Sequence, residues 1–391
     1  MRPGAHFCRK SVIENASKRH FMSETVHSPA NSMTPLAATL ASPELRVLRG
    51  VLTPWALDAP ETETAALMAG AAVHDLGWMQ RVAVRGEDRF RWLSGMVTNT
   101  VTDLPANGGA WNLVLNAQGR IQGDLHVWRN GDALEIELAA DQAERLLTHL
   151  DRFIIMDDVE LVPLSDGPDG QTALGLAGPL AAGVLLRLGL PAPDAPMTSA
   201  LGSWNGANLR VVRGYEALAP HFEIWTVASI IPALLQALVE AGAQPVGAAT
   251  LEAFRIAEGI PLYGVDIVER DLAQETSQMR ALHFSKGCYL GQEIVERIRS
   301  RGNVHRHLRS LELQGPLPAP GAELAFDSPS AGPGAPAGHI TSAAELALPS
   351  GPRCFALGMI RGEAELRDQP LTYTAGTGAG AARILAAAPE L

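Results

Sequence analysis

The side chains best suited to chemistry lie in one short segment, Lys-Gly-Cys-Tyr-Leu-Gly-Gln-Glu at residues 286–293. Apolar residues at helical spacing follow it, which predicts a helix that begins just after Cys288. A helix N-terminus and a neighbouring ammonium, here that of Lys286, both stabilise a thiolate, so Cys288 could be a reactive thiol. The alternative is a small buried apolar residue, which is the commonest fate of a free cysteine.

Lys286 stands out because lysine is rare in this chain. The sequence has three lysines, and the other two, Lys10 and Lys18, lie near its start. An ammonium is therefore expected to be specifically required at Lys286. It would act either beside the thiol or as a compact donor to backbone carbonyl groups.

Strands and helices are mixed in the part of the chain that must position this segment. Period-two apolar runs predict strands at residues 81–84, 111–115, 121–128 and 134–138. Helical spacing predicts helices at residues 89–97, 141–150, 179–188 and 230–241. A tight hairpin at Asn130-Gly131 is expected to join the last two strands, which favours an antiparallel sheet. The fold class is therefore α+β.

Another helix is expected to begin at Thr250, whose hydroxyl can cap free amides, and to end at Gly259 before Pro261. Beyond residue 303, short β-type runs at residues 308–313 and 355–360 predict a C-terminal β-barrel.

The predicted domain boundaries follow from these changes of pattern. Residues 1–40 are expected to be a disordered tail or an over-long start, residues 41–303 an α+β region, and residues 304–391 the barrel. Residues 315–338 are dense in Pro, Gly, Ala and Ser, so parts of this segment are predicted to be long, mobile barrel loops.

Composition narrows the classes of partner and the compartment. With 42 acidic and 31 basic residues, the formal charge of −11 argues against broad, nonspecific binding to nucleic acid. Three cysteines, Cys8, Cys288 and Cys354, suit a reducing cytoplasm better than a disulfide framework. The apolar residues 225–243 are interrupted by polar side chains, so they are interpreted as a buried amphipathic helix and no membrane location is expected.

The segment at residues 286–293 resembles the hallmark of the YgfZ group of folate-binding proteins, Lys-Gly-Cys-Tyr-x-Gly-Gln-Glu, at all seven specified positions. A related mitochondrial iron–sulfur assembly factor carries the same string, and the wider superfamily includes the glycine cleavage aminomethyltransferase. The resemblance extends over about residues 73–373. It implies an aminomethyltransferase-like fold with two interleaved subdomains around a central cavity, and tetrahydrofolate or a derivative as cofactor.

The resemblance also implies which residues bind folate. Asp124 is similar in position to the aspartate that faces folate in aminomethyltransferases, where a carboxylate could orient the cofactor or handle a proton. Glu223 resembles the glutamate that meets the amino-pyrimidine edge of the pterin, with Glu216 as the alternative. Arg255 and Tyr263 lie in a segment similar to the helix exit of the superfamily, and both are expected at the folate.

For Arg255, an internal ion pair with Glu258 or Asp266 is an equally weighted role. No intrinsic metal is expected, because Cys288 and the nearby histidines lack the paired spacing of zinc sites. One thiol also cannot hold a stable iron–sulfur cluster.

Two functions of different classes remain, and whether the protein is an enzyme stays open. By resemblance, the leading one is a folate-binding accessory protein that helps assemble or repair iron–sulfur enzymes, including tRNA-modifying ones, with Cys288 as the redox-sensitive or partner-contacting residue. Its partners would be a reduced folate and iron–sulfur client or assembly proteins. The second is an aminomethyl or one-carbon transferase that uses Asp124 and Arg255. RNA contact through the arginines of residues 297–309 is a weaker expectation than a solvated, arginine-rich helix.

Overall fold

The computed structural model describes residues 32–165, 170–215, 218–302, 304–328, 332–367 and 369–391. Its helices are α1 (Pro60–Ala69), α2 (Arg89–Met96), α3 (Ala140–Asp151), α4 (Ala181–Arg187), α5 (Ile231–Glu240), α6 (Ala248–Glu258), α7 (Gln292–Arg301) and α8 (Gly362–Glu365). The strands before the barrel are β1 (Glu44–Leu48), β2 (Val51–Ala56), β3 (Ala72–Asp75), β4 (Met79–Arg85), β5 (Gly109–Leu115), β6 (Ile121–Asn130), β7 (Ala133–Ala139), β8 (Glu160–Pro163), β9 (Gln171–Ala177), β10 (Thr198–Trp204), β11 (Ala207–Arg213), β12 (His221–Val227) and β13 (Gln244–Pro245).

The first large sheet is antiparallel and has the order β5-β6-β7-β4-β8. The four strands predicted in this region are confirmed, each slightly longer than expected. The predicted hairpin is shifted by one residue, because Asn130 still pairs with Ala133 and the turn is formed by Gly131 and Asp132. Gly131 has a φ of 61°, which a glycine adopts without steric cost.

The second large sheet has the order β10-β11-β12-β9-β3-β13, in which only β3 and β13 are parallel. Apolar side chains of α4 and α5 cover one face of it, against Phe222 and Ile224 of β12. Because strand side chains alternate, Glu223 and Trp225 point to the opposite face, toward the first sheet.

The interpretation of residues 225–243 as one helix is wrong. Trp225 belongs to β12, and α5 begins at Ile231 with Pro232 in its first turn. Proline is tolerated at a helix start because the amide it lacks would have no partner there. The helix α6 begins at Ala248 rather than Thr250, and the Thr250 hydroxyl donates to the Glu63 carboxylate instead of capping the helix.

The helix α6 ends where the sequence predicts. Gly259 has a φ of 77°, in the left-handed region, and the Ile260 amide donates to the Arg255 carbonyl at 2.9 Å. This geometry closes the last turn of the helix and redirects the chain toward Pro261.

The C-terminal β-barrel is confirmed. Its strands are β14 (Arg306–Gln314), β15 (Glu323–Ser328), β16 (Gly332–Leu346), β17 (Arg353–Arg361), β18 (Leu371–Ala375) and β19 (Gly378–Ile384). They form a closed barrel in the order β14-β17-β16-β15-β18-β19. The expectation that parts of residues 315–338 are loops holds for residues 315–322, which lie outside the strands, whereas residues 323–328 and 332–338 lie in β15 and β16. Irregular register between these two strands accommodates the prolines of β16.

The ordered fold begins before residue 40. Met33 pairs with Leu52, and Leu36 is buried against the second sheet. The earlier tail, which includes Cys8, Lys10 and Lys18, lies outside the described residues. Among the described residues, no helix is long and apolar enough to cross a membrane.

Candidate functional site in the central cavity

A cavity of about 280 Å³ lies between the two large sheets and α6. The first sheet contributes Trp111, His126 and Glu137 to its wall, and the second contributes His74 and Glu223. The lining is mostly apolar with a few buried polar side chains, as in small-molecule binding sites. The cavity is therefore the candidate functional site.

Glu223 lies in the wall of this cavity, as the sequence predicts for a ligand-binding residue. Its Oε2 accepts a hydrogen bond of 2.7 Å from the Trp225 indole nitrogen. Burial raises the pKa of Glu223 to about 8, and the neighbouring Glu137 carboxylate adds to this effect. Glu223 therefore keeps its proton near neutral pH in the absence of a ligand. The alternative residue, Glu216, lies outside the described residues.

Glu137 is a buried cavity residue that the sequence did not reveal. Its Oε2 accepts hydrogen bonds from Arg81 Nη2 at 3.1 Å and from Trp128 Nε1 at 3.0 Å. Its Oε1 is buried without a hydrogen-bond partner among the described residues. The one available signal was the alternation of Glu135, Ile136 and Glu137, which also fits a strand with a solvated face. The second sheet, packed over that face, makes it an interior.

His74 is the second polar side chain of the cavity that the sequence did not reveal. It is 3% exposed, and its ring centre lies 5.3 Å from that of His221. Burial is the main cause that lowers the pKa of His74 to about 3, and the charge of His221 adds to it. His74 is therefore a neutral ring at physiological pH.

Asp124 lies beside the cavity rather than in its wall. Its Oδ2 accepts from the Trp111 indole nitrogen at 3.0 Å, and its Oδ1 accepts from Gln142 Nε2 at 2.9 Å. Trp111 itself lines the cavity. The carboxylate is thus fixed by two donors behind the wall, and its predicted role at folate stays a prediction.

Arg255 forms one of the internal ion pairs that the sequence left open, and its predicted role at folate stays a prediction. It lines the cavity, and it pairs with Asp266 at 2.8 Å and with Glu252. Asp266 also accepts hydrogen bonds of 2.6 Å from the hydroxyls of Thr341 and Ser342 in the barrel. Arg255 therefore links the cavity wall to the C-terminal domain.

Tyr263 is placed outside the cavity lining. Its carbonyl accepts from Arg49 Nη1 at 2.6 Å, and its ring lies 5.1 Å from the Arg145 guanidinium. Arg49 does line the cavity. Tyr263 therefore contacts a wall residue, and its predicted binding role stays a prediction.

Lys286 holds the loop that carries Cys288. Its ammonium donates to the carbonyl oxygens of Ser94, Val97 and Asn99 at 2.8, 2.7 and 2.6 Å. These carbonyls lie at and just beyond the end of α2, so the lysine ties the loop to the first half of the chain. Burial lowers the pKa of Lys286 to about 7. The ammonium thus acts as a donor to backbone carbonyls, one of its two predicted roles.

Cys288 is exposed and is not part of the cavity. The predicted helix is present but begins later than expected, because α7 starts at Gln292 after Gly291, which has a φ of 83°. The alternative of a buried apolar cysteine is wrong. The thiol therefore faces solvent from a loop that Lys286 anchors.

The basic residues after this loop are partly neutralised. Arg306 pairs with Asp271 and Glu275, and Arg309 pairs with Glu365. Within the described part of the chain, no cluster of His, Cys, Asp and Glu could hold a metal ion.

The chain is similar in sequence to proteins of the aminomethyltransferase type. Residues 43–286 match the family model described as the GCVT N-terminal domain. An aminomethyltransferase from Rubrobacter xylanophilus is 29% identical over 263 residues, which cover 65% of this chain and 68% of the relative.

Two further relatives are not named as aminomethyltransferases. A tRNA-modifying protein YgfZ from Cronobacter sakazakii is 27% identical over 62% of this chain and 71% of the relative. A mitochondrial iron–sulfur cluster assembly factor IBA57 homolog from Pyricularia oryzae is 26% identical over 61% of this chain and 57% of the relative.

A solved structure shows the same fold. The glycine cleavage system aminomethyltransferase T from Bartonella henselae superposes with a TM-score of 0.79 at 21% identity, over 90% of this chain and 96% of that chain. The predicted aminomethyltransferase-like fold is confirmed. The finer likeness to the YgfZ group stays a prediction, because relatives of both kinds match at similar identity.

Proposed function

Because this chain belongs to the family of proteins with the GCVT N-terminal domain, we propose that it binds a reduced folate and serves as an accessory protein in the assembly or repair of iron–sulfur enzymes. Tetrahydrofolate or a derivative would occupy the central cavity. The clients would include tRNA-modifying enzymes. The exposed, free thiol of Cys288 suits the reducing cytoplasm as the compartment.

The observation that carries this proposal is the position of Cys288. Its thiol lies outside the cavity and faces solvent, on a loop that Lys286 fixes through three carbonyl groups. A thiol in this position can meet another protein, but it does not face a folate in the cavity. The segment Lys-Gly-Cys-Tyr-Leu-Gly-Gln-Glu thus presents a contact for a client or an assembly protein.

The polar groups of the cavity fit a pterin. Glu223 and Glu137 present carboxyl oxygens from opposite sheets, and Glu137 Oε1 has no hydrogen-bond partner among the described residues, although His126 Nδ1 lies 3.7 Å from it. Such a pair suits the two-donor edge of an amino-pyrimidine ring. The neutral rings of His74 and Trp111 supply flat surface around it. Bound tetrahydrofolate would supply N5 and N10 as carriers of one-carbon units.

The names of two relatives support the accessory function. One is called an iron–sulfur cluster assembly factor and the other a tRNA-modifying protein. This chain carries the cysteine segment by which its sequence resembles the YgfZ group.

The test is genetic complementation. In cells that lack the protein, we expect the wild-type chain to restore the activity of iron–sulfur enzymes and Cys288→Ser to fail, although both bind tetrahydrofolate equally. Cys354→Ser is the matched control, because Cys354 is a half-buried free thiol in the barrel. Full restoration by Cys288→Ser would contradict the role of the thiol.

A one-carbon transferase is the second candidate. It is favoured by the aminomethyltransferases among the relatives and by Asp124, which lies directly behind the cavity wall. In that case the purified protein would transfer a methylene from an aminomethyl donor to N5 and N10 of tetrahydrofolate, with release of ammonia and the protonated carrier, and Asp124→Asn would abolish the transfer. Binding without transfer would favour the accessory function.

A further inference from the structure

Arg280 is a cavity residue with an unusual setting. It lies in the short helical turn Met279–Ala281 and lines the cavity. Its guanidinium carbon is 5.2 Å from the centre of the Trp111 ring and 4.8 Å from the centre of the Tyr215 ring. The Arg280 carbonyl accepts a hydrogen bond of 2.8 Å from the Asn99 side chain, which fixes the turn. Two aromatic rings and a fixed backbone therefore hold the cation in place.

Arg280 forms no ion pair with the described part of the chain, although the Glu258 carboxylate in the same cavity wall acts on its charge at longer range. No carboxylate in the described part lies within 4.0 Å of the Arg280 guanidinium, and its Nε is buried without a hydrogen-bond partner. The other two arginines of the cavity wall do have partners, since Arg49 pairs with Asp141 at 3.1 Å and Arg255 pairs with Asp266 at 2.8 Å. Burial lowers the pKa of Arg280. A buried guanidinium without a close ion pair is costly, so it favours an incoming anion.

The position of Arg280 relative to the carboxyl pair follows from the register of the first sheet. Trp111 of β5 lies opposite His126 of β6, and His126 lies opposite Glu137 of β7. With neighbouring strands about 4.8 Å apart, this row separates the backbone of Trp111 from that of Glu137 by about 10 Å. Arg280 stacks at the Trp111 end. The cavity wall thus has hydrogen-bond acceptors at one end of the row and an unpaired cation at the other.

We infer that Arg280, held between Trp111 and Tyr215, is a binding subsite for a carboxylate group. The carboxylate belongs either to the glutamate tail of the folate or to a separate small carboxylate in the cavity. The first source rests on the proposed function, and the second does not. In both cases the guanidinium supplies a fixed pair of donors, which matches the two oxygens of a carboxylate.

The test is calorimetric titration of the full chain, its Arg280→Gln variant and its Arg280→Lys variant. The probes are tetrahydrofolate, 6,7-dimethyltetrahydropterin, which lacks a carboxylate, and acetate in the presence of that pterin. Arg299→Gln is the control for charge, since Arg299 is exposed and lies in α7. The melting temperature of Arg280→Gln should not fall, because the variant removes an unpaired buried charge.

If the tail is the ligand, Arg280→Gln weakens tetrahydrofolate binding by about tenfold or more, Arg280→Lys recovers part of the loss, and pterin binding is unchanged. If a small carboxylate is the ligand, tetrahydrofolate binding is unchanged, whereas acetate binds the pterin-loaded wild type and not Arg280→Gln. The inference is overturned if Arg280→Gln leaves the binding of both tetrahydrofolate and acetate unchanged. It is also overturned if Arg280→Gln weakens the binding of the pterin and of tetrahydrofolate equally. If the wild type binds neither tetrahydrofolate nor the pterin, the proposed function is contradicted. The inference about Arg280 is then tested by whether acetate alone binds the wild type and not Arg280→Gln.

Discussion

The carboxyl groups of Glu137 and Glu223 come from different sheets but lie in the wall of the same cavity, where the Glu137 carboxylate helps to raise the pKa of Glu223. Arg81 and the Trp128 indole hold one oxygen of Glu137, and the Trp225 indole holds one oxygen of Glu223. Two buried carboxyl groups that interact in this way favour retention of one proton between them. The pair therefore joins the two halves of the fold and gives the cavity its acceptors.

Stability should depend on pH through this pair. The pKa of Glu223 is raised to about 8, so between its ordinary pKa and 8 the folded chain binds a proton that the unfolded chain has lost. Consequently, the free energy of unfolding should fall as pH rises from 5 to 8, by at most a few kcal/mol. Urea denaturation across this range should show the slope in the wild type and a smaller slope in Glu223→Gln. Equal slopes in the wild type and Glu223→Gln would contradict the raised pKa of Glu223. Glu323→Gln, on the barrel surface, is the control and should keep the wild-type slope.

Removing Glu137 should destabilise the fold strongly. Glu137→Ala leaves the buried Arg81 guanidinium with only Glu135 as ion-pair partner and the Trp128 indole nitrogen without an acceptor. The expected loss is about 3 to 5 kcal/mol in the free energy of unfolding, measured by urea denaturation. A loss below about 1 kcal/mol would mean that Arg81 is not held by this pair.

The anchor at Lys286 should be specific for an ammonium. Lys286→Met leaves three carbonyl groups at the end of α2 without their donor, and we expect a loss of about 2 to 4 kcal/mol in stability. Arg297→Met, at an exposed position of α7, should have little effect. Lys286→Arg should not restore the wild-type value, because a planar guanidinium cannot reach three converging carbonyls as a compact ammonium does. Full recovery by Lys286→Arg would contradict this account.

The link between cavity and barrel should be measurable as well. Asp266→Asn replaces the carboxylate that pairs with Arg255 and accepts from the hydroxyls of Thr341 and Ser342. We expect a loss of about 2 to 4 kcal/mol in stability together with weaker folate binding, since Arg255 would lose its fixed position. Unchanged folate affinity in a folded Asp266→Asn variant would mean that folate binding does not depend on the position in which Asp266 holds Arg255.

Much of the fold follows from local patterns in the sequence. Short apolar runs predicted four strands of the first sheet and the barrel strands β14 and β17, and Gly259 with Pro261 predicted the end of α6. Local patterns failed where neighbours in space decide the outcome. Residues 315–338 have a loop-like composition, yet barrel closure gives them partners and makes much of the segment strand.

The candidate site was predicted only in part, for the same reason. Glu223 lies in the cavity wall as expected, whereas Glu137 and His74 become interior residues only when the second sheet packs over the first. Arg280 is a single polar residue in a short turn, and nothing in its local sequence indicates that its charge lacks a partner. Such residues are found by asking which buried groups are left without a partner once the chain has folded.

The most direct test of the central claim is calorimetric titration of tetrahydrofolate into the wild-type chain, Glu223→Ala and Cys288→Ser. We expect the wild type and Cys288→Ser to bind with equal affinity and Glu223→Ala to bind at least about tenfold more weakly. Absence of binding to the wild type, or equal binding by a folded Glu223→Ala variant, would contradict a folate site in the central cavity.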